Sequence, residues 1–331
     1  MFKKIKFALL VLLALLSIGL YLIYDKVETY LSVPRIQTTE LFVVSAGSNF
    51  SRLGNQFIEK GLIENTLWWK ITGKLYPALT RIKLGTYQFE KGANLRDILV
   101  LLSRGLEHQF KVTFVEGSTF KEWLKILNKT EHLSALNQSE GQLLSKLGSS
   151  TLNLEGLLFP ETYHFHENMP AFKIIEKAYL HQQQVLAKLW AGRDKNLPLK
   201  SPYEALVLAS IIEKESSIGA DRNKIASVFI NRLRKGMRLQ TDPTVIYGMG
   251  DNYKGRIRSR DLRRKTAYNT YRINGLPPTP ICMPSEAALY AALHPVKSDY
   301  LYFVSKGDGT SYFSKSLIEH NRAVQKYILG K

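Results

Sequence analysis

The run from Phe7 to Tyr24 is uncharged and almost wholly apolar, interrupted only by Ser17 and Gly19. As a helix it reaches about 27 Å, close to the hydrocarbon thickness of a bilayer. Lys3, Lys4 and Lys6 precede it, which places the N-terminus on the cytoplasmic side. No A-x-A cleavage site follows, and the run is long for a signal peptide, so it reads as an uncleaved anchor. Residues 25–39 are polar and mixed and read as a linker or short helical stalk. A second pattern then occurs three times: a β-prone run, a glycine turn and a capped helical stretch. The β-prone runs are Leu41–Val44, Thr86–Phe89 and Val112–Val115, and the glycines are Gly47, Gly92 and Gly117. Thr119 with Glu122, and more weakly Asn94 with Asp97, have capping-box spacing. The first two copies predict a small α+β module over 40–107, and a larger α+β domain follows over 108–331. With the tail (1–6), the anchor (7–24) and the linker (25–39), this is the expected organisation.

In the C-terminal half, periodicity predicts helices over 171–190, 201–216 and 223–235. Ser201, Pro202 and Glu204 make a strong start for the second of these. From Ala205 to Ile212 every residue but Ser210 is apolar, so this helix should be buried all round. It ends on two carboxylates, Glu213 and Glu215. Apolar neighbours and the negative end of the helix dipole both raise a carboxyl pKa, as a general acid near neutral pH requires. Two residues apart, they point to different sides. Glu215 lies above Leu208, Ile211 and Ile212, the more apolar surroundings, and is the better proton donor.

Past Asn231, the segment 237–248 crowds Gln240, Thr241, Asp242, Thr244 and Tyr247 together, and Asn269 and Tyr271 add to them. Such density of hydrogen-bonding side chains suits a sugar. A strand over 300–304, a turn at Gly307–Gly309 and a returning strand over 313–315 predict a hairpin. The chain has 331 residues, 46 Lys+Arg against 28 Asp+Glu and a formal charge of +18, which favours an anionic partner. Outside the membrane that points to lipid headgroups or cell-wall polymer rather than nucleic acid. The basic run Lys254, Arg256, Arg258, Arg260, Arg263, Arg264 and Lys265 reads as a solvated loop. No aromatic residue between Arg256 and Lys265 offers a base-stacking platform. The single cysteine, Cys282, excludes an intrachain disulfide and a Cys-based zinc site. There is no HExxH, GxSxG or Walker A motif.

The segments 209–216, 228–233, 237–248, 268–271 and 275–278, with His294 and Pro295, resemble the MltG (YceG-like) family of membrane-bound endolytic murein transglycosylases. The likeness is dense from about residue 110 onward, and the run Leu239–Gly248 is its most specific part. The resemblance implies a single-pass anchor, a LysM-like module at 40–107 and a YceG-like catalytic domain at 108–331. The family's catalytic glutamate falls on Glu215, and Glu215 with Ser216 is similar to the Glu-Ser pair of other lytic transglycosylases. The implied reaction cleaves the β-1,4 bond from N-acetylmuramic acid to N-acetylglucosamine of nascent strands. The muramic C6 hydroxyl attacks C1 and leaves a 1,6-anhydro end. No metal or organic cofactor is implied.

Expected substrate contacts are Ser216, Asn231, Gln240, Thr241, Asp242, Tyr247, Asn269, Tyr271 and Glu161. Peptidoglycan synthases of the penicillin-binding type are expected protein partners, and the inner membrane is the expected location. Two other readings stay open. One is a hydrolase pairing Glu215 with Asp242 or Glu161, and the other a non-catalytic wall-binding scaffold.

Overall fold

A computed structural model describes residues 2–215 and 219–330 and has the mixed helix-and-strand composition of an α+β protein. It divides into two compact units, residues 1–110 with 165–167, and residues 111–164 with 168–331.

The first unit contains α1 (Phe2–Ser32), β1 (Glu40–Val44), α2 (Phe50–Glu59), α3 (Thr66–Leu75), β2 (Gly85–Phe89) and α4 (Leu95–Arg104). Helix α1 is long and apolar enough to cross a membrane, and its most apolar stretch is fully exposed. It continues without a break through residues 25–32, where Val27 and Leu31 are buried in this unit's core. That segment is therefore a helical stalk rather than an extended linker. Strands β1 and β2 pair antiparallel with Phe42 opposite Tyr87. Phe42, Phe57, Trp69 and Phe89 are buried together, with Phe42 stacked on Phe89 at 5.0 Å. The turns read from sequence form as expected: Gly47 and Gly92 have φ of +79° and +84°, a region costly for any residue with a Cβ. Asn49 caps α2, and Asn94 and Asp97 form a capping box on α4.

The chain then runs through β3 (Phe110–Thr113), α5 (Phe120–Lys129), β4 (Leu133–Ser134), α6 (Glu140–Lys146), β5 (Thr162–Phe165), β6 (Met169–Pro170) and α7 (Ala171–Ala191). It continues through α8 (Pro202–Glu215), α9 (Arg222–Arg234), α10 (Asp242–Met249), α11 (Ser259–Arg263), α12 (Glu286–Leu293), β7 (Tyr302–Ser305), β8 (Ser311–Ser314) and α13 (Leu317–Tyr327). Helix α8 is the buried axis of the second unit, and Ala205 to Ile212 are all nearly inaccessible. Helices α7, α9, α10 and α12 pack against it. Ala288, Ala291 and Ala292 are fully buried on α12, and their small side chains allow a close approach. The loop before α12 is tied to α8 at Ser210: Ile281 N–H donates to Ser210 Oγ at 3.0 Å, and the Cys282 thiol to Ser210 O at 3.3 Å. The predicted hairpin is present as β7 and β8, in antiparallel register with Phe303 opposite Phe313.

Candidate active site

The apolar face of α8 is buried right up to Ile212, so the carboxylates beyond it leave the core at its edge. They have different fates. Glu213 is structural: its Oε2 accepts from the Ser285 N–H at 3.0 Å and from the Ser285 hydroxyl, and Arg222 lies 3.7 Å from Oε1. Ser285 in turn caps α12. Glu215 projects into a concavity of about 380 Å³ that Gln240, Thr241, Asp242 and Tyr271 also line. Its Oε1 accepts the Thr241 hydroxyl, and no other described side chain bonds its carboxyl. Burial raises this carboxyl above its ordinary range. The Asp242 carboxylate adds to the rise, while the Thr241 hydrogen bond and the Arg232 guanidinium oppose it.

Thr241 is itself held in place. Its N–H donates to Thr270 Oγ1 at 3.0 Å, and its carbonyl accepts from Thr244 Oγ1 at 2.8 Å. Just before it, Gln240 has φ of +50°, a left-handed conformation that is rare outside glycine and concentrates at functional sites. The reversal lets Leu239 stay fully buried while Gln240 is exposed to the concavity. Asp242 opens α10, with Pro243 in its first turn. The hydroxyl of Tyr271 donates to Asp242 Oδ1 at 2.7 Å. Burial, followed by that carboxylate, raises the Tyr271 phenol, which remains protonated.

The remaining wall was not foreseen from sequence and consists of Phe229, Arg232, Leu239, Tyr302, Phe303, Leu317 and His320. Arg232 is nearly buried and locked: Nε donates to Leu301 O and Nη1 to Leu239 O, both at 2.7 Å. Its guanidinium lies over the Tyr302 ring at 5.1 Å. His320 stacks on the same ring at 5.2 Å. Burial lowers the His320 imidazole, and its Nδ1 is inaccessible and without a hydrogen-bond partner among the described residues. Phe229, Arg232 and Leu239 fall within segments that carry the family resemblance, but nothing in the sequence placed them beside Tyr302 and His320.

The other expected contacts lie elsewhere. Asn231 does not line this concavity, and its amide donates to the carbonyls of Ser298 and Tyr300 at 2.8 and 3.0 Å. The amide of Asn269 donates to the carbonyls of Asp261, Leu262 and Arg264 at 3.2, 3.0 and 2.6 Å. Glu161 pairs with His181 Nδ1 at 3.0 Å. The Tyr247 hydroxyl donates to Glu155 Oε2 at 3.2 Å. Glu155, which sequence reasoning overlooked, is a second buried acid; desolvation pushes it up to about 7. Ser216 lies outside the described residues.

A sequence model of the YceG-like family matches residues 42–326. An endolytic murein transglycosylase of Bacillus subtilis (strain 168) is 33% identical over 314 residues, covering 89% of this chain and 86% of that protein. An endolytic murein transglycosylase of Streptococcus pneumoniae (serotype 2, strain D39) is 29% identical over 368 residues. That match covers 99% of this chain but 66% of the pneumococcal protein, so the chain spans just under two thirds of that relative. Among solved structures, that of a yceG-like protein from Listeria monocytogenes is 31% identical with a TM-score of 0.53, covering 86% of this chain and 99% of that one.

Proposed function

The chain belongs to the YceG-like family, and on that premise we propose that it is an endolytic murein transglycosylase whose acid/base is Glu215. The observation that carries the reading is the placement of one desolvated carboxyl, fixed through a single oxygen by Thr241, in a polar concavity. In the neutral form favoured by burial, Glu215 protonates the glycosidic oxygen that leaves from muramic C1. An oxocarbenium-like state forms at C1. The resulting Glu215 carboxylate takes the proton of the muramic C6 hydroxyl, and that oxygen bonds to C1. The acid is restored, no water is consumed, and the product ends in 1,6-anhydro-muramic acid. Gln240, Thr241, Asp242 and Tyr271 orient the sugar hydroxyls and acetamides, and the Tyr302 face gives a pyranose ring an apolar wall. Cutting nascent strands this way would set where glycan elongation ends, beside synthases of the penicillin-binding type. Helix α1 is the single-pass anchor, its N-terminus inside and the second unit outside, periplasmic in a Gram-negative envelope. The LysM-like reading of 40–107 gives the first unit a glycan-holding role.

One observation favours a second reading. Asp242 lines the same concavity as Glu215, which supplies the pair of carboxylates a hydrolase uses, with Asp242 rather than the outlying Glu161 as partner. Mass spectrometry of peptidoglycan digested by the detergent-solubilised chain separates the readings. Anhydro ends from wild type and none from Glu215→Gln are expected. Reducing ends, heavier by one water, would make it a hydrolase. If Glu215→Gln and wild type leave the polymer equally intact, a scaffold remains.

A further inference from the structure

The basic run is solvent-exposed, as expected, and five of its seven residues also line a concavity of about 560 Å³. Its floor is Val245, Gly248 and Met249 of α10, and its cationic lining is Lys254, Arg256, Arg258, Arg260 and Arg264. No residue lines both this cavity and the one around Glu215, although α10 reaches each: Asp242 at its start faces one, and Gly248 and Met249 at its end face the other.

Asp261 is the one carboxylate in the lining, and it is engaged locally. Its Oδ2 accepts the Arg258 N–H at 2.9 Å, and Oδ1 lies 3.8 Å from Arg260 Nε. Among the described residues, no carboxylate pairs with Arg256, Arg258 or Arg264. Five cations facing one hollow repel one another, an arrangement that a bound anion relieves. The hollow is also built rather than incidental. The buried amide of Asn269 clamps the carbonyls of Asp261, Leu262 and Arg264 and so fixes the backbone that presents the arginines.

We propose that this cavity binds a ligand carrying clustered phosphoryl groups, such as a diphosphate or neighbouring phosphodiesters. Guanidinium forks match phosphoryl oxygens in bidentate fashion. One carboxylate would leave most of the cations unneutralised, whereas two or more phosphoryl groups engage several at once. The lining has no aromatic ring, so the anion, not a stacked base, is what it recognises. The volume is that of an ordinary ligand site. Two sources offer this chemistry: lipid headgroups at the membrane surface, and soluble or polymer-borne phosphate.

The test is calorimetric titration of sodium pyrophosphate into the full chain reconstituted in phosphatidylcholine discs. Saturable binding is expected, weakened roughly tenfold or more by combined Arg256→Ala, Arg258→Ala and Arg264→Ala. In discs containing phosphatidylglycerol, loss of pyrophosphate binding identifies headgroups as the occupant. Unchanged binding identifies soluble or polymer phosphate. No binding in phosphatidylcholine discs, equal binding by the triple variant, or equally tight binding of oligoglutamate overturns the proposal. Phenylglyoxal labelling of wild type reads the site without any variant. Pyrophosphate should protect Arg256, Arg258 and Arg264 but not Arg322, and uniform labelling would contradict the assignment.

Discussion

Thr241 donates its hydroxyl to Oε1 of Glu215, joining residues 26 apart in the sequence at the mouth of α8. The contact fixes one carboxyl oxygen and leaves the other without a side-chain hydrogen-bond partner among the described residues. It also opposes the rise that burial imposes on Glu215, because a hydroxyl donor favours the carboxylate.

Thr241→Val should therefore act on both rate and pH profile. Valine keeps the shape of the buried side chain and removes the donor. Loss of a hydrogen bond to a charged group, about 1.5–3 kcal/mol, predicts roughly 10–100-fold lower kcat/KM. With its opposing contact gone, the Glu215 carboxyl moves further up, so the alkaline limb of the rate profile moves to higher pH. An alkaline limb that stays in place would refute this role for Thr241. Glu215→Gln itself should cost about 100- to 10,000-fold, the range of a lost general acid.

Asp242→Asn moves the same limb the other way. The Asp242 carboxylate raises Glu215 by repulsion, so the neutral amide should bring the alkaline limb to lower pH while anhydro ends remain the product. Product analysis across the pH range checks both statements. Loss of all cleavage at every pH would instead make Asp242 an obligatory second carboxylate.

Glu213 provides the contrast, two residues away on the same helix. Glu213→Ala removes the acceptor of the buried Ser285 N–H. A buried donor left unpaired costs about 1–3 kcal/mol, so the unfolding midpoint should fall. Rate per folded molecule should stay near wild type. A loss of rate as deep as that of Glu215→Gln, at unchanged stability, would reverse the assignment of the two acids.

Helix α8 and the two carboxylates at its end were legible because their signals are local. The run Ala205–Ile212 is apolar on nearly every face, and the helix must leave the core where the charges begin, at Glu213 and Glu215. The caps at Asn94 and Thr119 are equally local, since each bond closes within three residues. Helix α10 was hidden, because Pro243, Thr244, Val245, Tyr247 and Gly248 are poor helix formers. It is held by bonds such as that from Thr244 to the distant Thr270. Asn231 and Asn269 read as sugar ligands because sequence shows a polar side chain but not its direction; both turn inward to cap backbone carbonyls. The wall of Arg232, Tyr302 and His320 depends on contacts between residues far apart in the chain, such as Arg232 with Tyr302, beyond any periodicity.

Glu155 links stability to pH. Its folded-state value of about 7 lies above the ordinary 4.5, chiefly through desolvation, against which the Phe120 N–H and Tyr247 hydroxyl act only in part. Below pH 4.5 both folded and unfolded chains hold the proton, and the contribution is fully present. As pH rises toward 7, the unfolded chain releases the proton while the folded one retains it, so stability falls. The loss amounts to about 3 kcal/mol and levels off above the folded value. Glu155→Gln carries no titrating proton and still offers an oxygen to Phe120. Its unfolding midpoint should lack this downward slope between pH 4.5 and 7 and exceed that of wild type, relative to their values at pH 4.5, once pH passes 7. Thermal unfolding of the detergent-solubilised full chain across that range measures the slope directly, and parallel curves for the two proteins would show that Glu155 ionises without cost.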